Sequence, residues 1–246
     1  MAAVAELLRS HMPADQSDWL DLAQTLGQGK LRERAARMDE ENRFPFENYD
    51  DLRQSGLLGL TVPKEYGGGG VDSVTYVGVL TEIAQGCAST GLTFNMHCAI
   101  IDFLSQIASP NQKKKYFHEV VDEGAVLASI TSEPASSFRD VFRVKTQIVQ
   151  DDDGYRLNGT KAWCSLSTAA RYYFTWSRLK NSETLADGLL NVMVPSDRPG
   201  IEIMDDWDTL GMRATASNSI KFDNVRLEQD EVIGEPGVIL TKDLSF

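Results

Sequence analysis

Near residue 125 the spacing of apolar residues changes, and that change governs what the chain can fold into. Before it, apolar residues recur every three or four positions. Ser17 stands where a helix cap belongs, ahead of Asp18, Trp19, Leu20, Leu22, Leu26, Leu31, Ala35 and Met38, with Gly27 and Gly29 as candidate breaks. Residues 48–55 read as a short helix stopped by Gly56, and Asp72 precedes Val77, Val79, Leu80 and Ile83 at helical spacing. Residues 89–107 carry few charges and read as a buried helix. Pro110 opens another, 112–123, with Lys113, Lys114 and Lys115 on its solvated face. After residue 125 the alternation is that of strands: 142–149, 155–157, 171–178, 189–194, 200–203 and 218–222. Asp153-Gly154 and Asn158-Gly159 read as hairpin turns, because glycine accepts the positive φ such turns need. The expectation is an α+β chain, with an N-terminal all-α helical domain over 1–125 followed by an antiparallel β-barrel or sandwich middle domain over 126–237. An apolar tail, 238–246, closes it.

The 246 residues suffice for a sizeable core, and a net charge of −12 argues against nucleic acid as a partner. No apolar run reaches a membrane span of ~20 residues, and the first residues lack the basic start of a signal peptide. Cys87, Cys98 and Cys164 are an odd number without metal-ligand spacing, which fits reduced thiols in a cytoplasmic protein. No metal site is expected. Tyr66-Gly67-Gly68-Gly69-Gly70 lacks the Lys-Ser/Thr of a phosphate loop and reads as an ordinary loop.

Two short stretches carry the chemistry. Thr131-Ser132-Glu133-Pro134 ends one strand region, and Asn158-Gly159-Thr160-Lys161-Ala162-Trp163-Cys164-Ser165 lies in the next. A flat aromatic cofactor needs an apolar plate on one face and donors along its ring edge. Trp163 can be the plate, with Ser132 and Ser165 as donors; equally, Trp163 can be core and both serines can cap strands. His97 is a candidate acid–base group on an apolar helix, with a core histidine as the alternative. Arg213 is suited either to a phosphate or carboxylate of a substrate or to a structural ion pair.

Ser132-Glu133-Pro134, Asn158-Gly159-x-Lys161-x-Trp163-x-Ser165, Leu210-Gly211-Met212-Arg213 and Phe222-Asp223-Asn224-Val225 together resemble the acyl-CoA dehydrogenase family. The motifs stay in register over roughly residues 30–240. The resemblance implies an FAD-dependent oxidoreductase of fatty acid metabolism that removes an α proton and a β hydride from an acyl-CoA. It also implies homo-oligomers and an electron-transfer flavoprotein as redox partner. By motif match, Ile130, Thr131 and Ser132 would meet the flavin edge, Ser137 would lie near the pyrophosphate, and Trp163 with Ser165 would cover the ring. Phe138 and Arg213 would face the substrate. The family's base is a glutamate of a C-terminal helical bundle, so residues 238–246 would begin that bundle and the base would lie beyond residue 246.

Two departures bear on substrate. The glycine-rich run usual after Glu-Pro reads Ala135-Ser136-Ser137-Phe138, and the Ser-Asp-Thr-Arg-like run after Gly-x-Arg reads Thr215-Ala216-Ser217-Asn218. The latter resembles flavin-dependent monooxygenases of the same fold, which take reduced flavin, FMN in place of FAD, from a reductase and act on non-CoA substrates. Dehydrogenation is the leading expectation, monooxygenation the alternative. An inactive remnant or partner subunit is a third.

Overall fold

The structure, a computed structural model, describes residues 2–134 and 144–241. The chain divides into two compact units, Met1–Cys98 with Phe117–Gly124 and Asp208–Thr215, and Ala99–Tyr116 with Ala125–Trp207 and Ala216–Phe246.

The first unit is built from helices: α1 (Ala2–His11), α2 (Ser17–Leu26), α3 (Arg32–Glu40), α4 (Phe46–Gln54), α5 (Ser73–Gly86), the first half of α6 (Ala88–Ile107) and the end of α7 (Pro110–Glu123). Leu20, Ala23, Leu31, Met38, Val79 and Ile83 are buried, following the helical spacing of the sequence. Asp72 caps α5 by accepting the Thr75 N–H at 2.8 Å. Gly56 ends the turn after α4 at φ 79°, a left-handed position where glycine carries no Cβ penalty.

The two glycines between α2 and α3 have different roles. Gly29 is the break: it leaves helical geometry within the wide turn Gly27–Leu31. Gly27 stays helical and allows close approach, since a Cβ there would collide with the Glu82 carbonyl of α5. Gly86 faces it in return, and a Cβ on Gly86 would collide with the backbone of Gly27. Asp51 on α4 adds a polar tie, accepting from Lys30 Nζ at 2.6 Å and Arg34 Nη1 at 2.7 Å. Burial would raise its carboxyl, but these two cations hold it below its ordinary value.

The second unit is one sheet, with strands β1 (Leu127–Ile130), β2 (Gln147–Asp151), β3 (Gly154–Cys164), β4 (Tyr172–Leu179), β5 (Leu189–Pro195), β6 (Ile201–Ile203), β7 (Asn218–Leu227) and β8 (Val232–Ile233). Two short helices, α8 (Leu185–Gly188) and α9 (Val238–Thr241), belong to the same unit. The order is β6-β7-β3-β2-β4-β5-β8, with β1 also on β4. The expected all-antiparallel pairing holds for β2–β3, β3–β7, β4–β5, β5–β8 and β6–β7, but β1 and β2 both run parallel to β4. Since β5 occupies one edge of β4, β1 and β2 share the other, at Tyr172–Thr175 and Arg178–Leu179 respectively. The sheet is therefore mixed, and among the described residues β6 and β8 are not paired into a closed barrel.

The expected hairpin turn between β2 and β3 forms at Asp152-Asp153, and Gly154, at φ 137°, is the first residue of β3 and pairs with Asp151. Asn158-Gly159 does not turn the chain. It lies within β3 at an irregularity in the pairing with β7, and Asn158 Oδ1 accepts the Asn224 N–H at 2.8 Å. Gly159, at φ 150°, is required because a Cβ would meet the Thr146 Cα at 2.8 Å. The end of α6 and the start of α7 belong to this unit, with Phe103 edge-on to Phe174 at 4.7 Å and Tyr116 to Tyr172 at 5.1 Å.

Gly86→Ala should destabilise the protein by about 1–3 kcal/mol in urea denaturation, the usual cost of forcing atoms into a packed contact. Gly211→Ala, where an added Cβ meets nothing within 4 Å, is the control and should move the midpoint little.

Candidate functional site

Trp163 lies one residue before the end of β3, where pairing with β7 shifts register between Lys161 and Cys164. Irregularities of this kind re-aim a side chain. Trp163 is 62 % exposed, while its neighbours Ala162 and Cys164 are buried. The indole is held out of the sheet by buried neighbours and leaves a flat apolar face open, so the core alternative for Trp163 is excluded.

Beside it runs the end of β1. The Ala162 N–H donates to the Ser132 carbonyl at 3.1 Å, which fixes the Thr131–Ser132 backbone alongside the residue preceding Trp163. Ile130 is buried, and its carbonyl accepts the Thr175 hydroxyl; Thr131 is half-buried and Ser132 exposed. Ser165 is buried, with its Oγ 2.8 Å from Ser217 Oγ, so its hydroxyl is held by a partner from the Thr215–Asn218 run. Around this pair, Ser167 Oγ donates to the Ala216 carbonyl at 2.7 Å and accepts from Asn218 Nδ2 at 2.8 Å. Ser137 and Phe138 lie outside the described residues.

The centre of the arrangement is a pair that the motifs contain but their spacing does not reveal. Lys161, 0 % exposed, donates from Nζ to Glu133 Oε1 at 2.9 Å and to the Thr131 carbonyl at 3.1 Å. Glu133, 7 % exposed, also accepts from the Thr146 N–H at 2.8 Å, the Thr146 hydroxyl at 2.7 Å and the Lys145 N–H at 2.8 Å. Burial alone would raise the Glu133 carboxyl. The Lys161 charge and the Thr146 and Lys145 donors overcome this and hold it below the ordinary carboxylate range. The one available signal is the placement of Lys161 beside buried Ala162 in a strand, where a charge needs a partner.

The other two candidates belong to the helical unit. His97 is fully buried, and its Nε2 donates to the Leu58 carbonyl at 3.0 Å, the contact of a hydrogen-bonded core histidine. Arg213 donates from Nε to the Asp39 carbonyl at 2.9 Å, and from Nη1 to Asp208 Oδ1 at 2.7 Å and the Thr209 carbonyl at 2.8 Å. Its guanidinium is thereby engaged by its own unit. The three cysteines are buried and unpaired, with Cys98 pushed up to about 12 by burial. Among the described residues no group of acidic, histidine or cysteine side chains is arranged to hold a metal ion, and no helix is long and apolar enough to cross a membrane.

Known proteins resemble this chain in sequence and in fold. The chain is 33 % identical to a dibenzothiophene monooxygenase of Rhodococcus erythropolis over 211 residues, 86 % of this chain and 50 % of that protein. It is 30 % identical to the human mitochondrial short-chain specific acyl-CoA dehydrogenase over 209 residues, 83 % of this chain and 49 % of the relative. The FMN-bound structure of TdsC from Paenibacillus sp. A11-2 superposes with a TM-score of 0.83 at 32 % identity, covering 91 % of this chain and 55 % of that one. The chain thus spans about half the length of the curated relatives it matches. The family model for the acyl-CoA dehydrogenase N-terminal domain matches residues 13–123, and that for the middle domain matches residues 128–225. With these two models in sequence over most of its length, the chain belongs to the acyl-CoA dehydrogenase family.

Proposed function

We propose that this chain forms the flavin- and substrate-facing part of a flavin-dependent oxidoreductase, and that its reaction is monooxygenation of a flat sulfur- or nitrogen-containing aromatic compound. The exposed Trp163 indole beside the pinned Thr131–Ser132 backbone carries the reading. The residues fit a flavin in kind: an apolar plate for the ring face, and amide and hydroxyl donors for its nitrogen- and oxygen-bearing edge. Trp163 would cover the ring, Thr131 and Ser132 would donate to its edge, and Ser165, oriented by Ser217, would present a hydroxyl whose proton either oxygen can carry. Flavin supplies two-electron chemistry and, when reduced, a route for oxygen. In monooxygenation one oxygen atom enters the substrate and the other leaves as water, with the electrons drawn from a flavin reductase.

Support for monooxygenation over dehydrogenation comes from two residues. Arg213 already has three partners in its own unit, which leaves it poorly suited to a substrate anion. Ser217, from the run that departs from the dehydrogenase pattern, is the residue that holds Ser165. The relatedness to a dibenzothiophene monooxygenase adds weight in the same direction.

One observation favours acyl-CoA dehydrogenation as the second reading. A cavity of about 720 Å³ in the sheet unit is lined by Lys145, Arg178 and Lys180 among others. Arg178 is occupied by Ser182, but the two amines suit a phosphate-bearing ester. That reading takes FAD, a carboxylate base from outside these residues and an electron-accepting flavoprotein as parts of the same proposal.

Trp163→Ala should weaken flavin binding roughly thirtyfold, about 2 kcal/mol for the loss of an aromatic platform, as read by flavin fluorescence titration. Lys114→Ala, on an exposed helix face, should leave it unchanged. Absence of any flavin affinity at micromolar concentration in the protein carrying this chain would overturn both readings.

Substrate class is decided by a paired assay. Oxygen-dependent turnover of dibenzothiophene or indole, driven by a flavin reductase, is the expected result. Anaerobic bleaching of bound flavin by butyryl-CoA or octanoyl-CoA, with no oxygenation, would transfer the proposal to the dehydrogenase.

A further inference from the structure

We infer that the buried Glu133–Lys161 pair is a positioning device for the flavin edge, and that Lys161 sets the direction of the Ser132 amide. The inference rests on the flavin reading above and deepens it, since neither residue would touch the cofactor.

The argument begins with peptide geometry. In a trans peptide, C=O and N–H point in opposite directions. Lys161 Nζ draws the Thr131 carbonyl toward β3, so the Ser132 N–H in the same peptide is directed away from β3. The Ala162 N–H does the same to the Ser132 carbonyl, and hence to the Glu133 N–H. The Thr175 hydroxyl holds the Ile130 carbonyl, which directs the Thr131 N–H away from β4. Three successive carbonyls are thus held by the sheet, and each bond fixes the direction of the amide opposite it. Only the middle one depends on a long, rotatable side chain, and that side chain is locked by Glu133.

Stability alone does not account for the pair. Removing two charges from water is costly, and a buried ion pair often does no better than apolar residues of the same volume. Here the carboxylate also ties the start of one segment to the end of another, through Lys145 N–H, Thr146 N–H and the Thr146 hydroxyl. Five hydrogen bonds, from four donor groups in two parts of the chain, converge on Glu133 and the Thr131 carbonyl. Such convergence fixes direction, which is what a set of ring-edge donors needs.

The experiment compares Lys161→Met, Glu133→Gln and the double variant Glu133→Gln/Lys161→Met, in the protein carrying this chain, by urea denaturation, FMN and FAD titration, and hydrogen exchange. Each single variant leaves a buried charge without its opposite and should lose stability; the neutral double variant should regain much of it. Flavin affinity should not return with stability, and the double variant should bind at least roughly tenfold more weakly than the parent. Exchange of the 131–133 amides should quicken in the same variant. Lys161→Gln, a milder change that keeps a donor for the Thr131 carbonyl, should fall between parent and Lys161→Met in affinity. A double variant that regains both stability and flavin affinity, with unchanged exchange at 131–133, would overturn the inference and reduce the pair to a structural one. A parent that takes no flavin would overturn the functional reading instead, and the exchange comparison would then decide the positioning claim.

Discussion

Two opposite charges shut away from water hold three segments of the sheet unit together. Lys161 and Glu133 attract strongly because little solvent screens them, and each would be costly to keep alone. Their contact brings the end of β1, the approach to β2 and the middle of β3 to a single point. The exposure of Trp163 depends on that point, because the strand beneath the indole is anchored two residues earlier. The Thr131–Ser132 backbone depends on it as well, since its carbonyls are claimed by the same strand.

Close backbone contact plays a similar part where no charge is available. In the helical unit Gly27 and Gly86 let two helices approach until backbone meets backbone. In the sheet unit Gly159 admits Thr146, and Thr146 in turn donates twice to Glu133. Omitting a Cβ at one position thereby supports an ion pair formed by residues elsewhere in the chain. The Asn158-Gly159-Thr160-Lys161 motif is therefore one mechanical unit: an asparagine that binds β7, a glycine that admits a neighbour, and a lysine that reaches the carboxylate.

Much of this was legible in the sequence, and the failures have physical causes. Helix limits followed from local chemistry, as at Asp72 and Gly56, where capping and a left-handed φ act within a few residues. The hairpin between β2 and β3 was legible for the same reason, one residue before the expected pair. Asn158-Gly159 has the same letters but another role, because its φ serves a neighbour distant in sequence. Parallel pairing of β1 and β2 with β4 was not legible, as alternation reveals a strand but not its direction. Trp163 and Ser132 were expected as a plate and a donor, and both are exposed. Arg213 left two options open, and its bonds to Asp39, Asp208 and Thr209 are those of a structural residue. Glu133 and Lys161 were visible only as motif letters, since a contact between residues 28 apart has no periodic signature.

The shared edge of β4 bears on how such a chain can change over time. β1 leaves that edge at Thr175 and β2 returns to it at Arg178, so the excursion between them begins and ends beside the same strand. The Glu133 carboxylate, just past β1, accepts the Lys145 and Thr146 amides just before β2, so one side chain joins both strands at that edge. A substitution that loosens this carboxylate therefore disturbs two pairings with β4 at once, while variation elsewhere that spares it leaves the frame in register.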